Sequence, residues 1–277
     1  YAGGVYTGQE GSSIALVGGG TGTISLYEWD LDGDDQYDDA VGQNVSFVPA
    51  DGGTYTVGLR TTGPGGSATD AAVVHVAGVA PTAGVAGPSF GVRGQLRNFI
   101  LTALDPSSAD QAAGFSFLVD WNGDGINDQT VSAASGVQVG RVFSAAGTYN
   151  VRVTAVDKDG AAGAAVQQTV VISNWALQQD EQDASKTNLV WGGSNGVDAF
   201  GFVPGAVLIQ AENNQFFFNP QLVFLPAYNG KLIVFGQGAG DLLFADVVNG
   251  PTFMDGGADR KSTRLNSSHS SVSRMPS

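Results

Sequence analysis

Cysteine is absent from the 277 residues, and so are long apolar runs. Without thiols the chain has neither disulfides nor cysteine-based metal sites, so redox chemistry says nothing about its compartment. No apolar stretch approaches the roughly 18 to 20 residues that a membrane helix requires. The sequence therefore predicts no membrane-spanning helix.

Basic residues are also scarce. Lys and Arg together number 12 against 26 Asp and Glu, which gives a formal net charge of -14. A charge of this sign repels phosphate backbones, which argues against nucleic acid as a partner. The same charge favours divalent cations.

Glycine and short β-type runs are abundant instead. Gly accounts for 41 residues, and Val, Ile, Thr, Tyr and Phe cluster in short segments between Gly- and Asp-rich turns. Leucine-rich stretches with a period of 3.6 residues are hard to find, whereas tight turns between strand-length runs are frequent. This composition predicts an all-β protein.

An internal repeat runs through the first 173 residues. ISLYEWDLDGDDQYDD at 24–39 corresponds to FSFLVDWNGDGINDQTV at 115–131, and each is followed by a Gly-Thr-Tyr strand. In the second such strand Tyr149, Val151 and Val153 fall on one face, as in a half-buried β-strand. We expect Tyr55 and Tyr149 to bury their rings and to bond their hydroxyls to nearby backbone.

These segments resemble the hallmark segments of PKD domains, which are Ig-like modules common in large secreted proteins of bacterial type. WDLDGDDQYDD, DGGTYTVGL, VDWNGDG and AAGTYNVRVTAVDKDG carry the resemblance, with Trp29-Asp30 in the family order and Asp120-Trp121 in the inverted order. The resemblance implies two tandem β-sandwiches, at 1–78 and 79–173. A short junction containing Pro81 and Pro88 leaves little room for a flexible linker.

Each repeat carries an acidic loop with D-x-D-x-D spacing or its Asn variant. Side chains at alternate positions of such a turn can converge on calcium, which prefers six to eight oxygen ligands. Val41 and Val131 stand where an EF-hand would place its bidentate Glu, so the loops are not EF-hands. The alternative is a metal-free hairpin built from Asx-turns. The candidate calcium ligands are Asp30, Asp32, Asp34 and Asp38 in the first loop and Asp120, Asn122, Asp124 and Asp128 in the second.

The remainder of the chain is less regular. We interpret residues 174–188 as a polar linker or short helix and 189–258 as a truncated β-rich module. Gly196-x-Asp198, Gly238 to Asp241 and Asp255 to Ala258 weakly resemble RTX-type calcium repeats, and ordinary structural turns are the alternative. Both native ends are expected to be missing.

The last 19 residues, 259–277, differ abruptly in composition, with four basic residues in a short stretch. Their sequence resembles a translated sequencing adapter, so we interpret the segment as an artefact and expect it to be disordered. The alternative is a basic tail that binds anions.

Catalytic patterns are incomplete. Gly192 to Gly196 spell G-x-S-x-G, but the histidine downstream of Ser194 is His269, within the adapter-like segment. His75 has neither a cysteine nor a second histidine outside that segment with which to form a zinc site. We therefore predict that the chain is not an enzyme.

The sequence thus favours an extracellular or cell-surface structural array in which calcium stiffens loops and junctions. Its partners would be extracellular proteins or polysaccharides. The alternative is a set of accessory binding modules from a secreted protease or glycoside hydrolase whose catalytic domain lies outside this chain.

Overall fold

The computed structural model describes residues 1–193 and, beyond them, seven short strands. The predicted turns around Gly196, Gly238 and Gly256 and the segment 259–277 lie outside the described residues. The elements, in chain order, are β1 (Tyr6–Gln9), β2 (Ile14–Val17), β3 (Leu26–Asp30), β4 (Ala40–Val41), β5 (Asn44–Phe47), β6 (Gly53–Gly63), β7 (Gly66–Ala77), β8 (Thr82–Ala86), β9 (Phe90–Val92), β10 (Leu96–Leu104), α1 (Ser108–Ala113), β11 (Phe115–Asp120), β12 (Gln129–Ala133), β13 (Val137–Val142), β14 (Gly147–Val156), β15 (Val166–Ser173), β16 (Trp175–Gln179), β17 (Thr187–Gly192), β18 (Ala199–Val203), β19 (Ala206–Glu212), β20 (Gln215–Phe216), β21 (Val223–Phe224), β22 (Leu232–Phe235), β23 (Leu242–Ala245) and β24 (Thr252–Asp255). The predicted all-β class is confirmed.

Strands β1 to β7 form the first sandwich, which we call module 1. Its larger sheet has the order β1-β7-β6-β3-β4, and its smaller sheet pairs β2 with β5. Alternating side chains of both sheets meet in a core that contains Leu16, Trp29, Val57 and Val74. Burial of this apolar surface is the main term that stabilises the module.

Strands β8 to β15 form the second sandwich, module 2. Its larger sheet, β12-β11-β14-β15-β9, repeats the first module strand for strand, and its smaller sheet has the order β13-β10-β8. In both modules the first strand of the larger sheet pairs in parallel with the last, β1 with β7 and β9 with β15. The predicted tandem of Ig-like sandwiches is confirmed. Within the described residues, no helix is long and apolar enough to cross a membrane.

Trp29 of module 1 and Trp121 of module 2 reach the cores of their modules from different positions. Trp29 lies opposite Leu59 on the neighbouring strand, and Val119 lies opposite the equivalent Val153. Trp121 is therefore two residues beyond the position of Trp29, past the carboxylate that both loops share. It is nevertheless 1 % exposed, and its ring centroid lies 5.3 Å from that of Phe99.

The tyrosine corners are as predicted. The Tyr55 hydroxyl donates to the backbone oxygen of Asp51 at 2.7 Å, and the Tyr149 hydroxyl donates to that of Ala145 at 2.9 Å. Each bond ties the start of a long central strand to the turn before it.

Replacing Tyr149 with phenylalanine removes this bond and keeps the ring against Phe143, 4.5 Å away between centroids. We expect a loss of about 1 kcal/mol in the unfolding free energy of module 2, the usual net value of one hydrogen bond. Urea unfolding followed by circular dichroism measures it. Tyr1→Phe, at a side chain that is 70 % exposed, is the control and should change nothing. Equal midpoints for both variants would contradict the structural role of the corner.

Residues 174–188 differ from the prediction of a linker or short helix. Strand β16 pairs antiparallel with β17, with Trp175 opposite Trp191. The polar Gln178 suits a strand here because its side-chain amide exchanges hydrogen bonds of 2.9 and 3.0 Å with that of Gln95 in module 2. The strand is thus paired along its backbone with β17, and its polar side chain finds a partner in module 2.

Modules 1 and 2 contact each other directly. The backbone oxygen of Ala50 accepts hydrogen bonds from the Ser107 hydroxyl at 2.8 Å and from the Ala109 N–H at 3.3 Å. Lys158 of module 2 forms a salt bridge of 2.7 Å with Asp51 of module 1. Gly11 lies so close to Pro106 that a Cβ there would meet its backbone oxygen at 2.2 Å. The junction is therefore a packed contact rather than a free hinge.

Candidate metal sites in the acidic loops

The first loop connects β3 to β4 and is organised by two carboxylates. Asp30 ends β3 and is 5 % exposed. Its Oδ1 accepts from the Gly33 N–H at 2.7 Å, and its Oδ2 accepts from the Asp35 N–H at 3.0 Å. Asp39 closes the loop, since its Oδ2 accepts from the N–H groups of Leu31 and Asp32 at 2.6 and 3.1 Å.

The second loop connects β11 to β12 in the same way. Asp120 is 8 % exposed and accepts from the N–H groups of Asn122, Gly123 and Gly125 at 3.2, 2.6 and 2.8 Å. Asp128 closes this loop, and its Oδ2 accepts from the Trp121 N–H at 2.7 Å. Each loop thus carries its own carboxylate scaffold.

Two left-handed residues give both loops the same turn. Gly33 and Gly123 have φ values of 79° and 81°. Two residues later Asp35 and Gly125 have φ values of 64° and 87°. In the first loop the second of these residues, Asp35, is not a glycine, although L-residues with a side chain rarely adopt this conformation.

In the first loop the carboxylate that matches Asp128 is Asp39 and not the predicted Asp38. Asp39 donates its N–H to the Trp29 oxygen at 3.1 Å, as Asp128 does to the Val119 oxygen at 2.9 Å. Because Trp29 and Val119 are equivalent, Asp39 is the counterpart of Asp128. The first loop is one residue longer than the second. Asp38 and Asp128, which have the same spacing from Asp30 and Asp120, therefore do not occupy equivalent positions.

The two loops differ in how their oxygens are arranged. In the first, carboxylate oxygens of Asp30, Asp32 and Asp39 lie within 4.8 Å of one another. In the second, the Asn122 side-chain nitrogen donates to an oxygen of Asp124 at 3.0 Å. The first loop therefore has the stronger clustering of negative charge.

In each loop the remaining predicted ligand caps a turn of its own. Oδ1 of Asp34 accepts from the Gln36 N–H at 2.8 Å. Oδ1 of Asp124 accepts in the same way from the Ile126 N–H at 2.8 Å. Both bonds are Asx-turns, which the metal-free alternative also predicts.

Charge crowding and backbone donors act on the pKa values in opposite directions. The Asp34 N–H lowers the pKa of Asp32, but desolvation and the carboxylates of Asp34, Asp39 and Asp30 together raise it above its ordinary value. Burial raises the pKa of Asp120, but the N–H groups of its loop outweigh burial and lower it. The backbone donors therefore favour the anionic form of Asp120, whereas the neighbouring carboxylates disfavour the anionic form of Asp32.

No protein-family model and no curated protein matches this sequence. Solved structures do match it. The PKD domain of an M14-like peptidase from a Thermoplasmatales archaeon shares 26% identity over 34% of this chain and 92% of that domain, with a TM-score of 0.28. The fibronectin(III)-like modules of Clostridium thermocellum CbhA share 20% identity over 62% of this chain and 90% of theirs, with a TM-score of 0.30. The first four Ig domains of Dscam1 share 11% identity over 61% of this chain and 43% of theirs, with a TM-score of 0.32.

Sequence reasoning missed a second group of carboxylates. Glu10, Asp105 and Asp110 bring oxygens within 4.8 Å of one another at the junction of the two modules. Glu10 directly follows β1, Asp105 directly follows β10, and Asp110 lies in α1. Their spacing in the sequence therefore does not indicate that they meet. Asp105-Pro106-Ser107 is recognisable as a helix start, since Ser107 caps α1 by accepting from the Asp110 N–H.

Proposed function

We propose that this chain is part of a non-catalytic extracellular array, a stalk or adhesive segment whose acidic loops bind calcium. The direct contact between modules 1 and 2 carries the proposal. A salt bridge, two hydrogen bonds to the Ala50 oxygen and a glycine contact hold the modules together without an intervening linker. Such a joint suits transmission of force or fixed spacing of binding surfaces better than independent tethering.

The acidic loops support the calcium part of the proposal. Each loop presents hard oxygen ligands on a turn already shaped by backbone donors to Asp30 or Asp120. A calcium ion would relieve the repulsion that raises the pKa of Asp32. Partners of this array would be extracellular proteins or polysaccharides.

Calcium is expected to raise the thermal midpoint of the chain. Sites with dissociation constants of about 0.1 to 1 mM, typical of extracellular modules, would gain about 1.4 to 2.7 kcal/mol each in 10 mM calcium by mass action. Differential scanning calorimetry of the full chain in calcium and in EDTA measures the shift, with magnesium at equal ionic strength as the ionic control.

A double variant, Asp32→Asn with Asp124→Asn, tests whether the loops bind the calcium. It removes one negative charge from each loop and keeps Asp30 and Asp120, which hold the turns. Its midpoint should respond less to calcium, and its protection from protease in calcium should weaken. Equal calcium responses in this variant and in the unaltered chain would refute calcium binding by the loops.

A further inference from the structure

The junction between modules 1 and 2 encloses three carboxylates. Glu10 follows β1 of module 1, whereas Asp105 and Asp110 belong to the β10–α1 segment of module 2. Their exposed fractions are 1 %, 4 % and 1 %. Side chains of this kind are almost never buried to this extent without partners.

Four oxygens of this group have no hydrogen-bond partner. They are Oε2 of Glu10, Oδ2 of Asp105 and both carboxylate oxygens of Asp110. The other oxygens are engaged, since Oε1 of Glu10 accepts from the Val79 N–H at 2.5 Å and Oδ1 of Asp105 accepts from the Ser107 N–H at 2.8 Å. Backbone donors thus orient two carboxylates and leave their second oxygens free to bind something else.

Lys158 does not neutralise the cluster. Its Nζ lies 3.7 Å from Oδ1 of Asp110, but it is hydrogen-bonded to Asp51 at 2.9 Å and to Asp159 at 2.6 Å. The positive charge of Lys158 is therefore shared among three carboxylates, of which only Asp110 belongs to the buried cluster. Burial first, and then the neighbouring carboxylates, raise the pKa values of Glu10 and Asp105 despite the backbone donors to each.

We propose that a hard divalent cation of the calcium type binds between Glu10 of module 1 and Asp105 and Asp110 of module 2. Calcium binds oxygens at 2.3 to 2.6 Å, so two ligands of one ion can be up to about 5 Å apart. The oxygens of these residues lie within 4.8 Å of one another. Water or backbone carbonyls complete the coordination.

Binding at this position couples the ion to the arrangement of the modules. One ligand belongs to module 1 and two belong to module 2, so separation of the modules destroys the site. The ion therefore favours the packed junction and fixes the angle between the sandwiches. This site is separate from the acidic loops and does not depend on their binding calcium.

Counting the bound ions tests the site. Equilibrium dialysis of the full chain against calcium should show one ion fewer per chain in Glu10→Gln, which keeps the acceptor for Val79 and removes the charge. Asp105→Asn removes a ligand from the other module and should lose the same ion. Glu28→Gln is the matched control, because Glu28 lies on β3 of module 1 and pairs with Arg60 at 2.9 Å. It should retain the full number of ions.

Distance measurements test the coupling. Because the chain has no cysteine, Thr69→Cys and Gln138→Cys place spin labels at two exposed positions, one in each module. Calcium should narrow the distribution of distances between the labels in electron–electron resonance, and Glu10→Gln should abolish the narrowing. The loop variant Asp32→Asn with Asp124→Asn should retain it, which separates this inference from calcium binding by the loops.

Two results overturn the inference. The first is an unchanged number of bound ions in both Glu10→Gln and Asp105→Asn. The second is a distance distribution that calcium leaves unchanged in the unaltered chain. If Glu10→Gln altered folding, its melting curve would show it, and Asp105→Asn would provide the independent count.

Discussion

Replacement of Trp121 with alanine is expected to lower the unfolding free energy of module 2 by about 3 to 5 kcal/mol, the range for removal of a buried aromatic side chain. The indole is 1 % exposed and packs against Phe99 and Phe143 at centroid distances of 5.3 and 6.4 Å. Its Nε1 also donates to the Gln129 side chain at 3.1 Å. Removing it leaves a cavity between the two sheets and a polar group without its partner.

Urea unfolding of the full chain, followed by near-ultraviolet circular dichroism, measures this loss. Trp121→Phe keeps an aromatic ring in the core and should cost clearly less than the alanine variant. Module 1, whose core around Trp29 is separate, should keep its unfolding midpoint. A loss below about 1 kcal/mol for Trp121→Ala would mean that the ring is not part of the module 2 core.

Replacement of Asp120 with alanine is the second large effect. Its carboxylate accepts from three loop N–H groups, at 3.2, 2.6 and 2.8 Å, and the side chain is nearly buried. Hydrogen bonds to a charged group contribute about 1.5 to 3 kcal/mol each at most, and three that share one acceptor are not additive, so we expect a loss of about 2 to 4 kcal/mol. The turn between β11 and β12 would lose its main support.

Urea unfolding in EDTA measures this loss of unfolding free energy, because calcium does not contribute in the presence of the chelator. Asp124→Ala is the matched control, because Asp124 is exposed and accepts a single backbone N–H, that of Ile126 at 2.8 Å. It should cost about 1 kcal/mol, because the two bonds that it removes, from the Ile126 N–H and the Asn122 side chain, are both exposed. Similar losses for Asp120→Ala and Asp124→Ala would show that the loop is held by general turn propensity rather than by the Asp120 carboxylate.

Local patterns were reliable where local geometry decides the structure. The alternation around Tyr55 and Tyr149 predicted two equivalent strands, and the hydroxyl bonds to Asp51 and Ala145 lie four residues away. Gly123 and Gly125 adopt the left-handed conformation that glycine tolerates better than other residues. These features depend on period-2 alternation and on the conformational freedom of a few residues, and both can be recognised in the amino-acid sequence.

Register across strands was less accessible. Asp38 and Asp39 are adjacent carboxylates, and the hydrogen bonds of Asp39 across the hairpin show that it is the one that corresponds to Asp128. The strand at 175–179 was equally hidden, because the partner that satisfies Gln178 is Gln95, 83 residues earlier. Neither a one-residue insertion in a loop nor a hydrogen-bond partner far along the chain changes the periodicity of the sequence, so neither can be predicted from it.

The amino-acid sequence by itself determined the all-β class, the tandem repeat, the tyrosine corners and the two acidic turns, because each arises from neighbours along the chain. Tertiary structure alone decided that Trp121 reaches the core, that Asp39 closes the first loop, and that Glu10, Asp105 and Asp110 meet at the junction. Those outcomes depend on residues from separate strands whose proximity is created by packing the sheets and the modules. The net charge of -14 follows from the composition, but which of the carboxylates are buried depends on the tertiary structure.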